Sequence, residues 1–200
     1  MKNILVITAS IFGQDGQSSQ LVNRTLEQLR ASHGDLNIQQ RDLAAEPVPH
    51  LDAERFGAFL TGADDRDGQQ QRVVDYSDSL IKEVKQADII VIGVPMYNFG
   101  IPSVLKAYFD HIARAGISFR YTENGPVGLL EDRPVYILAA RGGIYAGTPN
   151  DSQTPFLRSF LGFLGLKDLH FVYAEGLNMG EDHKADALQQ ARRSIETLTA

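Results

Sequence analysis

The chain has 200 residues, 43% of them hydrophobic and 22% charged, with a formal net charge of −6. That length and balance describe one soluble domain spanning 1–200 that buries roughly 70% of its unfolded surface. The acidic balance lacks the basic face a phosphate backbone requires, so no nucleic-acid partner is expected. Cysteine is absent, which removes disulfides, thiolate nucleophiles and cysteine metal sites together and leaves redox chemistry to a bound cofactor.

The opening "MKNILVITAS" is a single lysine and a short apolar run, too short for a signal segment or a membrane span, so it reads as a buried first strand in a cytoplasmic protein with no membrane partner. A Gly- and Gln-rich turn follows. "SSQLVNRTLEQLRASHG" then sets Leu21, Val22, Leu26 and Leu29 on one helical face, with Ser18 or Ser19 expected to cap its start and Gly34 its end. "LNIQQRD" is a weaker strand suited to a sheet edge, and the Pro-interrupted stretch after it holds one short helix. Val73, Val74, Leu80, Ile81 and Val84 carry the next helix, from about Gln69 to Ala87.

"DIIVIGVP" is the most apolar strand, and a helix follows it closely. "ISFRYTENGPVGLLEDRP" is an excursion with a turn at Asn124–Gly125. "VYILAA", "TPFLRSFLGFLGL", "LHFVYAEGL" and Asp182–Leu198 complete the alternation as strand, helix, strand and helix. Strands that alternate with helices imply right-handed crossovers and a parallel sheet covered on both faces. The expected fold is a flavodoxin-like, doubly wound α/β sheet of five strands in the order 2-1-3-4-5.

Such sheets bind ligands beyond the carboxyl ends of their strands, where strand order reverses. Three loops are thereby named: "SIFGQDGQSS", "PMYNFGIPS" and "RGGIYAGTPND". In the first, Ser10, Gly16, Gln17 and Ser18 stand at a helix start, whose free N–H groups and dipole can hold a phosphate without a lysine. Taken alone, that loop reads equally well as a capped turn. In the second, Met96, Tyr97, Asn98 and Phe99 suit a flat heteroaromatic ligand with polar edges. In the third, Arg141 brings a charge, and Gly142 and Gly143 bring backbone N–H groups with no Cβ in the way. Donors of this kind would stabilise a flavin that turns anionic on accepting hydride. Asn178 is placed outside this crevice.

The chain lacks the dinucleotide fingerprint G-x-G-x-x-G, the P-loop motif and the G-x-S-x-G nucleophile turn. Thr8, Ala9, Ser10, Pro95 and Met96 also provide no carboxylate cluster for Mg²⁺, so no metal is expected. His111, mid-helix, and His170, at a strand start, read as structural. An electron carrier of the flavodoxin type is the alternative class, and NADH oxidation by the protein itself separates it from an enzyme.

"PMYNFGIPSVLKAYFDHIARAGISFRYTENGPVGL", together with "LVITASIFGQDGQSSQLV", "RDLAAEPVPHLD", "RGGIY" and "FLGFLGL", resembles the FMN-dependent NADH-azoreductases, flavodoxin-like quinone reductases, over essentially the whole chain. The resemblance implies a homodimer with FMN sites at the interface. It implies a ping-pong cycle in which NADH or NADPH reduces FMN, and a quinone or azo compound then takes two electrons. The positions that match the family's FMN site are Ser10; Gly16, Gln17 and Ser18; Met96, Tyr97, Asn98 and Phe99; and Ala140, Arg141, Gly142 and Gly143. Gly16 and Ala140 depart from the serines frequent in relatives, which leaves main-chain contacts there. Phe119, Tyr121 and Phe163 are aromatic residues placed on the substrate side, supplied in one reading by the partner subunit. No side chain is required as acid, base or nucleophile.

Overall fold

The computed structural model describes residues 1–199. In chain order its elements are β1 (Lys2–Thr8), α1 (Gln17–His33), β2 (Leu36–Asp42), α2 (Ala53–Leu60), α3 (Gly68–Gln86) and β3 (Ile89–Pro95). Then come α4 (Ser103–Ile112), β4 (Phe119–Thr122), β5 (Gly125–Gly128), β6 (Val135–Ala140), α5 (Gln153–Leu164), β7 (Leu169–Ala174) and α6 (Glu181–Leu198). The five-stranded sheet runs β2-β1-β3-β6-β7, and every pairing in it is parallel. Counting only its own strands, that order is the expected 2-1-3-4-5. The excursion adds a separate antiparallel pair, β4–β5, whose two-residue turn is Glu123–Asn124, one residue earlier than expected.

Strand alternation sorts the core into two layers. Leu5, Ile7, Ile90, Ile92 and Ile137 face α3, α4 and α5, where they meet Leu80, Leu105, Phe109 and Leu157. Ile4, Val6, Val91 and Leu138 face α1 and α6, against Leu26, Leu29, Ala191 and Ile195. Each such side chain contributes about 1.5–3 kcal/mol when fully buried. β3, at the centre, is buried along its entire length, whereas β2, at the edge, is mostly half-exposed. Its weaker hydrophobicity follows from that position.

The start of α3 is fixed by a reciprocal cap. Asp67 accepts from the Gln69 and Gln70 amides at 2.8 Å, and Gln70 accepts from the Asp67 amide at 3.0 Å. The β4–β5 hairpin docks on the end of α5 by close backbone approach. A Cβ at Gly128 would lie 2.2 Å from the Gly165 nitrogen, and Leu130 N–H donates to the Leu164 carbonyl at 3.0 Å. No described helix is long and apolar enough to cross a membrane.

Candidate functional site

β1, β3 and β6 are adjacent, so the loops that leave them emerge together, and direct bonds tie them. The Ile11 N–H donates to the Tyr97 hydroxyl at 3.1 Å, joining the first loop to the second. The Met96 N–H donates to the Ala140 carbonyl at 2.9 Å, joining the second to the third. Met96, Asn98, Phe99, Gly142, Gly143, Tyr145 and Asn178 line a depression of about 450 Å³ between the second and third loops and the segment after β7; Ser10, Gly16, Gln17 and Ser18 are not among its lining.

The first loop places unpartnered polar groups at a helix start. α1 begins at Gln17 with no side-chain cap, which corrects the expectation that Ser18 or Ser19 caps it. Both serines lie inside the first turn and are buried, and their hydroxyls bond to nothing. Thr8 Oγ1 and Gln17 Oε1 are likewise buried without partners. Within the described residues, the Gln17, Ser18 and Ser19 amides also find no acceptor. Leaving a buried hydroxyl unsatisfied costs about 1–3 kcal/mol, so this arrangement favours an acceptor-rich ligand at the positive end of the helix dipole. Glycine at 16 lets Ser10 pack closely: a Cβ there would lie 2.0 Å from Ser10 Oγ and 2.7 Å from its Cβ, so Ser10 would have to shift. Ser10 Oγ itself accepts from the Phe12 N–H at 3.2 Å.

The second loop is a tight reversal. Tyr97 and Gly100 exchange both backbone hydrogen bonds, at 3.1 and 2.9 Å. Between them Asn98 and Phe99 both take positive φ, 50° and 63°, the backbone of a type I′ turn. Holding two non-glycine residues there stores strain, a pattern that clusters at ligand-binding sites. The Asn98 side chain is exposed and unbonded, and Phe99, also exposed, meets Tyr145 edge to face with centroids 5.5 Å apart.

The third loop corrects the expected role of Arg141 as a free charge. Its guanidinium is fully buried and encased. It reaches Asp151 Oδ1, Glu175 Oε1 and Thr154 Oγ1, each at 3.0 Å, and Gln153 Oε1 at 3.1 Å. Glu175 Oε1 also accepts from the Tyr145 and Ala146 amides at 2.9 Å. Burial works against the Asp151 carboxylate, but the Thr154 amide and hydroxyl and the Arg141 guanidinium outweigh it and hold its pKa below the ordinary range. This charge builds the loop and does not face a ligand; Gly142 and Gly143 present the backbone to the depression.

Asn178, expected outside, lines it: a Cβ on Gly142 would sit 2.6 Å from Asn178 Nδ2. It lies beyond β7, a fourth carboxyl-end loop that the crossover rule does not single out. Tyr145 lies in the RGGIY stretch but is not singled out there, and Gln153 belongs to none of the quoted motifs. Phe119, Tyr121 and Phe163 form a cluster of their own on the hairpin and α5, with Phe119 4.3 Å from Phe163 and 5.5 Å from Tyr121 between centroids. None of the three lines the depression. His111 Nε2 lies 3.0 Å from the Pro49 carbonyl, and His170 pairs with Asp168 at 2.8 Å, both away from the crevice loops. Among the described residues no cluster of metal-ligating side chains occurs.

Residues 2–198 match the family described as flavodoxin-like fold. An FMN-dependent NADH:quinone oxidoreductase of Cellvibrio japonicus is 58% identical over 196 residues, covering 98% of each chain. A protein of the same name from Alcanivorax borkumensis is 56% identical, over 98% of this chain and all of its own length. Among solved structures, an azoreductase of Bacillus anthracis superposes with a TM-score of 0.90 at 26% identity, covering 100% of this chain and 99% of that one. An FMN-dependent NADH-azoreductase from the same species, solved in complex with FMN, gives 0.89 at 29% identity over 100% and 98%. The chain therefore belongs to the flavodoxin-like family that contains the FMN-dependent NADH:quinone oxidoreductases and azoreductases.

Proposed function

We propose that the protein is an FMN-dependent oxidoreductase that passes two electrons from NADH to quinones and azo compounds. The observation that carries the reading is the start of α1, where free amides and the buried, unbonded Ser18 hydroxyl converge without any cation. Dipoles of that kind suit the phosphate tail of FMN. Gly16, Gln17 and Ser18, with Ser10 behind them, hold the phosphate. Met96, Tyr97, Asn98 and Phe99 take the ring on one side, and Gly142 and Gly143 take it on the other. Ala140 acts through its main chain and Arg141 through its buried guanidinium, both by setting that last loop. When bound, FMN would supply the hydride chemistry, and one such site serving NADH and then the acceptor would give ping-pong kinetics.

The chain's own residues bind, orient and exclude water. The unbonded amides of Asn98 and Phe99 suit the carbonyl-bearing edge of the ring, where negative charge grows on reduction. Arg141 is engaged by two carboxylates, and residues 9–16, 96–100 and 142–150 contain no lysine or arginine. A 2′-phosphate thus meets no cation on these loops, which supports NADH over NADPH.

A homodimer accounts for the apolar side chains left in water. Tyr121, 75% exposed, shares the hairpin region with exposed Ile117, Val127 and Leu129. In that arrangement Phe119, Tyr121 and Phe163 line the acceptor side of the partner's site. The test is direct. Purified protein titrated with FMN quenches flavin fluorescence at one equivalent per chain, and the loaded protein consumes NADH beyond one equivalent per flavin only when a quinone or azo dye is present. Failure to take up FMN overturns the reading. Uptake without NADH oxidation converts the protein into an electron carrier.

A further inference from the structure

Gln153 belongs to no motif, yet it sits between the second and third loops. It is 1% exposed, at the first position of α5. Its Nε2 donates to the Pro95 carbonyl at 3.0 Å and to the Gly100 carbonyl at 2.9 Å. Its Oε1 accepts from Arg141 Nε at 3.1 Å. All the strong hydrogen-bonding directions of the amide except one lone pair are thus engaged, across two loops. The neighbouring residue adds a second tether, since the Ser152 hydroxyl donates to the Phe99 carbonyl.

These bonds fall on the points that decide the shape of the turn. The carbonyl before it, at Pro95, and those of its last two residues, Phe99 and Gly100, are all taken from the α5 side. Within the turn, the amides of Asn98 and Phe99 and the Asn98 carbonyl have no backbone partner, on two residues that line the depression. A type I′ backbone built on Asn and Phe instead of glycine does not hold itself and persists where its surroundings over-determine it. Arg141 fixes Gln153 in turn, because Asp151, Glu175 and Thr154 hold the guanidinium in one pose. Chemistry also sets the residue type: a carboxylate here would confront two carbonyl oxygens, and an aliphatic side chain would leave them bare.

We propose that Gln153 is a positioning residue for the flavin: it couples the buried Arg141 network to the Tyr97–Gly100 turn and keeps that turn's two free amides aimed at the ring. This rests on the FMN reading above. The test compares wild type, Gln153→Met and Ser77→Ala by FMN dissociation constant, by the visible spectrum of the bound flavin and by thermal midpoint. Ser77→Ala removes a buried bond elsewhere, from Ser77 Oγ to the His111 carbonyl at 2.5 Å. Gln153→Met is expected to weaken FMN binding about 10- to 100-fold through the misplaced amides and to shift the flavin absorption bands. Ser77→Ala is expected to lower the midpoint while FMN affinity stays within about twofold, since it is independent of the site. A Gln153→Met protein with the wild-type constant and spectrum overturns the proposal. Should that variant not fold, Ser152→Ala removes only the exposed tether at Phe99 and is expected to cost about threefold in affinity; an unchanged constant and spectrum there overturn it equally. A wild type that takes up no FMN overturns the cofactor reading itself, an outcome distinct from either.

Discussion

The two ends of the crevice treat polar groups in opposite ways. At the start of α1, the Ser18 and Ser19 hydroxyls are buried with nothing to bind, the first amides have no backbone acceptor, and no cation is present. Beyond β6, Arg141 and Asp151 are buried, Glu175 is nearly so, and four of the five guanidinium N–H groups are engaged. A buried polar group without a partner is a standing cost that a ligand can remove; a saturated network has nothing left to offer one. The end without a cation is therefore the ligand end, and the ion-paired end is framework. Charge in a binding loop does not by itself mark a ligand contact.

Removing Arg141 gives the largest effect expected from this contrast. Arg141→Met strands Asp151 and Glu175 in the interior, and breaking a buried pair in this way costs about 3–5 kcal/mol. At this chain length each kcal/mol lowers the thermal midpoint by about 2–4 °C, so apoprotein melting should fall by roughly 6–20 °C. Arg141→Lys is not expected to restore it, because one ammonium cannot reproduce four fixed contacts. A variant that melts like wild type would place the network outside the framework.

Ser18→Ala should show the opposite signature. It deletes an unbonded buried hydroxyl, so the apoprotein loses no stability. It also removes a hydrogen bond to a charged phosphate, worth about 1.5–3 kcal/mol, or roughly 10- to 100-fold in FMN affinity. Calorimetry of the apoprotein beside an FMN titration checks both halves. Destabilised apoprotein with unchanged FMN binding would reverse the assignment of the two ends.

Much of this was legible in the chain, for physical reasons that differ by element. Buried parallel strands must be apolar throughout, so "DIIVIGVP" and "VYILAA" declared themselves, and the crossover rule then set strand order and the mouth of the site. Ser10 and Gly16 were readable as a helix entry but not as a steric pair, because their contact depends on the turn that brings them together. Arg141 was misread because its partners lie 10 and 34 residues downstream, a pairing that no local pattern encodes. Gln153 was invisible for the same reason: its targets, Pro95 and Gly100, are 58 and 53 residues upstream.

A smaller effect separates the two amides of the depression. Asn98→Ala and Asn178→Ala should each weaken FMN binding, by about 3- to 10-fold for loss of one neutral hydrogen bond. The sequence places Asn98 in the crevice and Asn178 outside it, so the first substitution is expected to cost more; the position of Asn178 against Gly142 removes that difference. Dissociation constants that differ by two orders of magnitude would return Asn178 to the outside.

The smallest expected effect lies away from the crevice and tests whether an unbonded buried atom always signals a ligand. His111 is buried with Nδ1 unpartnered, yet its ring is enclosed by apolar and aromatic neighbours, edge to face with Phe59 and Tyr76 at 5.9 Å. Burial holds its pKa below the ordinary histidine value; the bond to Pro49 and Asp110 act in the other direction, and Arg55 and Arg114 add to the lowering. The unfolded chain then takes up a proton near pH 6.5 while the folded one does not. Stability is accordingly present above about pH 6.5 and lost as pH falls toward the folded value. His111→Gln keeps a donor for Pro49 but cannot titrate, so its melting temperature should fall less than that of wild type between pH 7.5 and 5.5, while FMN affinity is untouched. Equal acid slopes in the two proteins would show that the ring accepts its second proton without cost, and Nδ1 would then have a partner after all.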